Sequence, residues 1–330
     1  MMRAVQYKTT GPAAEVLQLG RFPTPVAGPG DVLVRVAASG INPADVKRRA
    51  GWGGMQMNHP LIIPHCDGAG TIEAVGEGVS ADRVGQRVWL WNAQGGYGQA
   101  GRAFGTAAEF VALPEAQAVP LPDHFTMAQG ACLGVPAMTA HRSVLSDGPV
   151  TGKTILVQGG AGAVGYLAVQ IARKDGAGVI ATVGRSTDAE RVRALGGTPI
   201  NRHDEDVVGK VRDLTDGTGV DRIVEVDFAA NQTVDVRLIK PNGVIASYSS
   251  TSDPTPVLDY YAFASKGANI RFIQGFALPE DARKQGQRWL ATHELEIPIA
   301  ATFPLDRCAE AHLHVEQASA FGQTVVMLEQ

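Results

Sequence analysis

Short alternating or apolar segments fill roughly the first 125 residues of the chain, separated by Gly, Pro and Asp turns. The clearest lie at 31–37, 70–75, 87–90 and 108–113. An apolar–polar alternation with a period of two, bounded by turn residues, predicts β-strands. This part of the chain is therefore expected to form a small β-rich, barrel-like domain.

From about Met127 the pattern changes to apolar strands that alternate with helical segments. Strands are predicted at 154–157, 179–183, 220–226, 243–248 and 269–273, with an apolar helix over 166–172. Successive βα units imply a parallel sheet covered by helices on both faces. The last segment has predicted helices at 281–293 and 306–317 and a strand at 324–328. The chain is therefore predicted to divide into residues 1–126, 127–274 and 275–330, and its fold class is predicted to be α/β.

The strand at 154–157 runs into a glycine-rich turn, GGAGAVG at 159–165, that opens the predicted helix. In such a unit Gly160 is expected to make the tight turn, Gly162 to leave room for a pyrophosphate, and Gly165 to let the helix pack close to the strand. The helix N-terminus would offer N–H groups and partial positive charge to the phosphates. An ordinary glycine-rich turn is the alternative. The strand that follows at 179–183 favours a dinucleotide site.

The end of that following strand bears on which dinucleotide binds. A carboxylate there would accept hydrogen bonds from a free ribose 2′-hydroxyl. Instead the strand runs into Gly184, Arg185 and Ser186, and the first acid, Asp188, falls in the next helix. Because a guanidinium and a hydroxyl suit a 2′-phosphate, the sequence predicts NADPH rather than NADH. The alternative is that Arg185 is a solvated loop residue.

Composition argues against several classes of protein. The 330 residues carry 29 Lys and Arg against 33 Asp and Glu, a net charge of −4, without a basic run, so neither nucleic acid nor a membrane is an expected partner. No long apolar stretch and no signal-peptide pattern occur, which predicts a cytoplasmic protein. Cys66, Cys132 and Cys308 are too few and too scattered for a disulfide framework or a zinc finger.

Six sequence runs stand out along the chain: GINPAD at 40–45, DGAGTIEAVG at 67–76, GACLGVPAMTA at 130–140, GGAGAVG at 159–165, DGTGVD at 216–221 and FGQTVV at 321–326. Together with the order of the predicted parts, these runs resemble the medium-chain dehydrogenase/reductase superfamily. Within it the chain is most similar to the zinc-independent quinone oxidoreductases of the zeta-crystallin type. The resemblance implies a GroES-like catalytic domain, a doubly wound Rossmann cofactor domain, a C-terminal segment that returns to the catalytic domain, and a homodimer.

The resemblance also addresses catalytic zinc. The positions that match the Cys, His and Cys ligands of zinc-dependent members are Asn42, Cys66 and Val135, and neither an amide nor an aliphatic side chain replaces a thiolate. The structural zinc loop with four cysteines is missing too, so no functional metal is expected, although the run from His65 to Asp67 could catch a stray ion. Hydride transfer to a quinone or an enone needs less help than alcohol oxidation, which lacks its Lewis acid here.

Four residues are candidates for contact with the acceptor: Asn42, Lys47, Trp52 and Tyr97. The Asn42 amide could donate to a developing oxyanion, but Asn42 also fits a helix N-cap, with Asp45 as a capping residue. Lys47 stands where relatives often have a tyrosine; it could donate a proton, or it could belong with the next two arginines to a solvated helix face. Trp52 and Tyr97 could line a pocket for a flat acceptor, or they could only pack against other side chains of the protein. Water is a further proton source.

The remaining cofactor contacts follow from the resemblance. Thr139 is expected near the nicotinamide and Arg202 near the adenine or the 2′-phosphate, with a surface role as its alternative. The expected contacts at the phosphate turn and after a later strand are Ala163, Val164, Ser247, Tyr248 and Ser249. Three functions stay open: an NADPH-dependent reductase of quinones or enones, a related dehydrogenase or enoyl reductase for another small substrate, and a non-catalytic NADPH-binding protein.

Overall fold

The computed structural model describes residues 1–95, 101–317 and 320–328. The chain divides into two compact units. Unit 1 comprises Met1–Pro136 and Arg283–Gln330, and unit 2 comprises Ala137–Ala282. The boundaries expected from the sequence, after residues 126 and 274, lie N-terminal to these two. Tyr97, one of the candidate acceptor contacts, lies outside the described residues.

The first 136 residues begin with strands and end with short helices. Their elements are β1 (Met2–Gln6), α1 (Ala13–Val16), β2 (Gln18–Phe22), β3 (Asp31–Ile41), α2 (Pro43–Ala50), β4 (Asp67–Val75), β5 (Arg87–Leu90), β6 (Phe110–Pro114), β7 (Ala118–Pro120) and α3 (Met127–Gly130). Single 3₁₀ turns occur at Trp52–Gly54, Ala81–Arg83 and Glu115–Gln117.

Strands and helices alternate through the middle of the chain, as predicted. The elements are α4 (Met138–Leu145), β8 (Thr154–Val157), α5 (Ala163–Lys174), β9 (Gly178–Val183), α6 (Ser186–Ala194), β10 (Thr198–Asn201), α7 (Val207–Leu214), β11 (Val220–Glu225), α8 (Phe228–Leu238), β12 (Ile239–Ser247), α9 (Tyr260–Lys266) and β13 (Asn269–Phe272). The last elements are α10 (Glu280–Thr292), β14 (Ile299–Pro304), α11 (Cys308–Gln317) and β15 (Gln323–Met327).

Unit 1 is built around β3, which pairs with β15, β4 and β6. Among the described residues its main sheet has seven strands, in the order β14-β15-β3-β4-β5-β7 with β6 added on β3. Alternating Val and Ile side chains from these strands fill one core, with Cys308 and Ala311 of α11 packed into it. The C-terminal segment therefore completes the N-terminal β-rich unit.

Unit 2 contains a six-stranded parallel sheet in the order β10-β9-β8-β11-β12-β13 within the described chain. Its inner strands are continuous apolar runs, and Ile155, Leu156 and Val157 of β8 are fully buried. Such runs are typical of parallel strands with both faces covered by helices. The predicted doubly wound Rossmann fold is confirmed. Its strand order reverses between β8 and β11, where ligands of this fold bind at the carboxyl ends of the strands.

Candidate functional site

The glycine turn follows β8 at the carboxyl edge of the unit 2 sheet. Gly160 lies in the tight turn as predicted, because the backbone N–H of Gly162 donates to the Gly159 carbonyl at 2.9 Å. Gly159, before it, has the positive φ of 72°. Gly160 is also needed for packing: an ideal Cβ there would lie 2.6 Å from the Cβ of Ala181 on β9. An ideal Cβ on Gly165 would lie 2.2 Å from the carbonyl oxygen of Gly159. Gly165 therefore lets the start of α5 pack closely against the glycine turn itself.

The phosphate end of this turn is open. Gly162 is the N-cap of α5, and a Cβ added there would meet nothing nearer than the Gly159 carbonyl oxygen, at 3.3 Å. Because α5 begins at Ala163, the backbone N–H groups of Ala163 and Val164 have no partner within the helix. Together with the helix dipole they form a cradle of the kind that binds phosphate. The residues present fit a pyrophosphate.

A buried polar network, which the sequence pattern does not predict, holds the turn in place. The backbone N–H of Gly159 donates to Thr182 Oγ1 at 2.9 Å, and Thr182 Oγ1 donates to Gln158 Oε1 at 2.8 Å. The Gln158 side-chain amide in turn donates to Asp235 Oδ1 at 2.9 Å. The available signal was a glutamine and a threonine at the ends of two otherwise apolar strands.

This network ends at two buried carboxyl groups, Glu225 at the end of β11 and Asp235 on α8. Glu225 Oε1 accepts hydrogen bonds from the Asn231 side chain, at 2.9 Å, and from the backbone N–H of Asp227. The remaining oxygens, Glu225 Oε2 and Asp235 Oδ2, have no other partner in the described residues. Burial and the neighbouring Glu225 charge raise the pKa of Asp235 well above its usual range. Burial raises the pKa of Glu225 as well, so both carboxyl groups of this pair favour the protonated form more than exposed acids do.

Arg202 and Gly184 meet where β9 and β10 end. The backbone N–H of Arg202 donates to the Val183 carbonyl at 3.0 Å. Its guanidinium Nη2 lies 3.3 Å from the ideal Cβ position of Gly184, so the absence of a side chain at Gly184 makes room for it. The predicted ribose end thus has a guanidinium directly beside the Gly184 backbone.

Arg185 is the N-cap of α6, and Ser186 is the first residue of that helix. Although Asp188 lies within α6, its carboxylate reaches back to Arg185 Nε at 2.9 Å and also binds Arg191 Nη1 at 2.6 Å. The expectation that this end lacks a carboxylate is therefore corrected. Asp188 is buried between two arginines, and the Arg185 side chain keeps 48% exposure, so the cluster retains a net positive charge.

The other predicted cofactor residues are also in unit 2. Thr139 is buried in the first turn of α4, and its carbonyl accepts a hydrogen bond from Ser143 Oγ at 2.8 Å. Ser247 is the last residue of β12, and its hydroxyl donates to the Ser249 carbonyl at 3.2 Å. Tyr248 follows, and its backbone N–H donates to the Glu225 carbonyl at 3.1 Å. Ser247–Ser249 therefore lie at the same sheet edge as the glycine turn.

In unit 1, Asn42 does cap α2, and the Asp45 carboxylate accepts a hydrogen bond from the Asn42 backbone N–H at 2.8 Å. The side chain of Asn42 also makes a hydrogen bond to Asp67 that the sequence did not predict. Its Nδ2 donates to Asp67 Oδ2 at 2.8 Å, and the same oxygen accepts the backbone N–H of Val135 at 2.7 Å. One N–H of the amide is thus bound to Asp67, and an amide nitrogen has two N–H donors in all.

Asp67 is fully buried, and burial raises its pKa to about 8 although the hydrogen bonds from Asn42 and Val135 act in the opposite direction. This shift favours the protonated carboxyl group at neutral pH. The neighbouring Gly134 leaves room for it, because a Cβ there would lie 2.1 Å from Asp67 Oδ1. The available signal was an acid directly after Cys66, one of the positions that match zinc ligands.

Lys47 and Trp52, two further candidates, contact each other. Lys47 Nζ lies 4.7 Å from the centroid of the Trp52 ring, a cation–π distance. The alternative of a solvated helix face is wrong for Arg49, which is 1% exposed and pairs with Glu316 on α11. The lysine and the indole together form one half-buried feature at the end of α2.

Two family models match the chain: the alcohol dehydrogenase GroES-like domain over residues 28–123 and the zinc-binding dehydrogenase model over 163–291. Human quinone oxidoreductase is 30% identical over 345 residues, which cover 99% of this chain and 98% of the human protein. The chain belongs to the medium-chain dehydrogenase/reductase superfamily. This member is an oxidoreductase of the quinone oxidoreductase type, and members of the superfamily bind a nicotinamide cofactor.

Solved structures of the superfamily match both units. An NAD-dependent alcohol dehydrogenase is 27% identical, with a TM-score of 0.88 over 99% of this chain and all of that chain. A mycobacterial protein complexed with NADPH is 25% identical, with a TM-score of 0.82 over the same shares. In this superfamily member, no helix in the described part of the chain is long and apolar enough to cross a membrane.

Because one matching family model describes zinc-binding dehydrogenases, we asked whether the residues of this chain could bind a catalytic zinc ion. Of the three matching positions, Asn42 uses its amide on Asp67, and Val135 has no donor atom in its side chain. The Cys66 thiol lies between Arg48 Nη1, which donates to it at 3.3 Å, and Gln94 Oε1, at 3.6 Å. Burial raises the pKa of Cys66 well above its usual range. This donor set does not fit a catalytic zinc ion, which takes three good protein ligands.

Proposed function

We propose that this superfamily member transfers hydride from NADPH to a quinone or another activated carbonyl acceptor without zinc. The observation that carries the proposal is the arrangement of Asn42, Asp67 and Val135, where hydrogen bonds occupy two positions that match zinc ligands. The full-length similarity to quinone oxidoreductases supports the same acceptor class. An electron-poor acceptor needs no Lewis acid to take hydride.

Unit 2 would hold the cofactor. The pyrophosphate would bind at the N–H groups of Ala163 and Val164, and the 2′-phosphate at Arg202, Arg185 and Ser186. Support comes from the guanidinium beside Gly184 and the excess positive charge around Asp188. NADPH, when bound, supplies the hydride. The mycobacterial neighbour complexed with NADPH is consistent with this choice.

Unit 1 would serve the acceptor. The second N–H of the Asn42 amide would donate to the oxygen that gains negative charge, and Asp67 would hold that amide in position through Oδ2. The indole of Trp52, with Lys47 against it, offers a flat surface for a quinone ring. Reduction to a hydroquinone needs a proton besides the hydride. Lys47 and water are the two sources we propose.

We also propose a cytoplasmic homodimer. The three cysteines are free and buried, which suits a reducing compartment. The edge strand β13 exposes 73% of Phe272, and the nearby α9 exposes 68% of Tyr260 and 81% of Tyr261. An exposed apolar sheet edge favours pairing with a second copy, because it buries both the apolar side chains and the unpaired backbone groups.

One experiment tests the reaction, the cofactor and the acceptor class together. NADPH and NADH oxidation are followed separately with ortho-quinones, para-quinones and enones, before and after chelation, with metal analysis of the enzyme. We expect faster turnover with NADPH, at least one active quinone or enone, and activity that chelation leaves unchanged. Tight NADPH binding without oxidation by any acceptor would contradict the reductase, and activity restored only by zinc would contradict the zinc-free mechanism.

A further inference from the structure

A second group of metal-ligand side chains lies in unit 1, apart from the residues used above. His65, Cys308 and His312 offer one ligand atom each, and these atoms lie within 4.8 Å of one another. His65 Nε2 is 2.8 Å from His312 Nε2 and 3.9 Å from Cys308 Sγ. Cys308 and His312 stand one turn apart on α11, and His65 precedes β4. All three are at most 1% exposed.

A chain of hydrogen bonds fixes the tautomer of His65. Thr106 Oγ1 donates to the Asp67 carbonyl at 2.6 Å, so it accepts from Ser39 Oγ, 2.7 Å away. Ser39 Oγ must then accept from His65 Nδ1, at 2.8 Å. His65 Nδ1 therefore carries the proton, and the lone pair of Nε2 points at Cys308 and His312. A donated second ring N–H is the usual support of a metal-binding histidine.

Two further features single out this cluster. His65 has a φ of 78°, in the left-handed region that residues other than glycine seldom adopt, and such a conformation persists where the surroundings hold the residue in one place. His312 Nδ1 is buried without a hydrogen-bond partner in the described residues. Within the described residues, hydrogen bonds therefore leave one ring nitrogen of this buried cluster unpaired, the Nδ1 atom of His312.

We propose that His65, Cys308 and His312 bind one thiophilic metal ion, copper(I) or zinc(II), that ties α11 to the segment before β4. Binding forms two metal–nitrogen bonds and one metal–sulfur bond and releases the thiol proton of Cys308. The proton that His312 Nε2 donates to His65 Nε2 moves to His312 Nδ1, which has no partner in the described residues. Two imidazoles and a thiolate are ligands for either ion. Three ligands suit copper(I), whereas a structural zinc ion would need a fourth. Because the cluster is buried, the ion would act on stability and not on the acceptor.

The test uses the full chain, refolded with copper(I) under anaerobic reduction, with zinc(II), or with a chelator. Bound metal per chain is measured by elemental analysis, and the unfolding temperature by calorimetry. Cobalt(II) serves as a spectroscopic probe, because a thiolate ligand gives it a charge-transfer band. We expect one ion per chain and an unfolding temperature raised by several degrees with the preferred metal, since an ion that binds only the folded state stabilises it.

Variants separate this site from adventitious binding. Cys308→Ser and His65→Asn are expected to lower metal affinity by at least about 100-fold. Asn tolerates the left-handed backbone at 65, so this variant keeps the test available if Cys308→Ser fails to fold. Cys132→Ser, another buried cysteine, is the matched control and should bind metal as the parent does. The proposal is overturned if no metal binds stoichiometrically, or if His65→Asn binds as well as the parent.

Discussion

The side-chain amide of Asn42 donates a hydrogen bond to the Asp67 carboxyl group at 2.8 Å, in the interior of unit 1. Relatives that use zinc bring charged ligands to the position of Asn42, whereas here a neutral amide meets an acid whose pKa burial raises. A hydrogen-bonded pair thus lies at a position that matches a zinc ligand, and the titration of Asp67 can be measured through its effect on stability.

Asp67→Asn should change how stability depends on pH. Burial raises the pKa of Asp67 from 3.8 to about 8, so between these values the folded state binds more protons than the unfolded state. The free energy of unfolding of the parent should therefore fall as pH rises through this window. Residue 67 of the variant does not titrate, so its free energy of unfolding should not fall in this window. At about pH 8 the difference from the parent should have shifted in favour of the variant by on the order of a few kcal/mol.

Urea unfolding of both proteins at several pH values between about 5 and 9 measures this difference. Glu73→Gln is the control: hydrogen bonding to Arg35 lowers the pKa of this exposed carboxylate, so its small effect on stability has the opposite pH dependence. A stability difference for Asp67→Asn that is constant across the range would mean that the carboxyl group does not titrate there.

Arg202→Ala should weaken NADPH binding by about 1–3 kcal/mol and leave NADH binding nearly unchanged, because only NADPH has a 2′-phosphate for the guanidinium. Arg185→Ala should also weaken NADPH more than NADH, but less than Arg202→Ala does, since Arg185 already pairs with Asp188. Calorimetric titration with both cofactors gives the comparison. Arg191→Ala, which removes the other partner of Asp188, is the control. Equal affinity of the parent for both cofactors would defeat the assignment.

Substitutions of Gly162 and Gly165 in the turn should have different effects. Gly162→Val should abolish the binding of both cofactors while unit 1 stays folded, because the side chain fills the space over the phosphate cradle. Gly165→Ala should destabilise unit 2 itself, since its Cβ would lie 2.2 Å from a backbone oxygen that cannot move independently. Cofactor titration and thermal unfolding distinguish the two effects. Intact binding in Gly162→Val would mean that the phosphates bind elsewhere.

Phe272→Lys should convert the proposed dimer to a monomer, because a charge on the edge strand β13 opposes pairing between sheets. Sedimentation velocity over a range of protein concentrations measures the change. Val26→Lys is the matched control: Val26 is 86% exposed in unit 1, away from that edge strand in sequence. A parent that is monomeric at every concentration, or a Phe272→Lys variant that stays dimeric, would exclude this interface.

Much of the fold could be predicted from local pattern. The alternation at 31–37 and 70–75 marked the strands of unit 1, and the apolar runs at 154–157 and 179–183 marked inner strands of the parallel sheet. These predictions succeed because the period of the apolar residues is set by the geometry of each element. The glycine turn was visible for the same reason. The separate role of each glycine was not visible, because the contact that excludes a side chain at Gly160 is with Ala181 on a neighbouring strand.

By itself, the sequence determined the superfamily, the doubly wound cofactor unit and the lack of thiolates at Asn42 and Val135. Only the tertiary structure decided that Asp67 joins these two positions, that Asp188 turns back onto Arg185, and that His65 meets His312 across 247 positions of the chain. The physical reason is that periodicity records which face of an element is buried. Which polar groups meet in that interior, and which protons they keep, depends on strand register, helix placement and the loss of water around them.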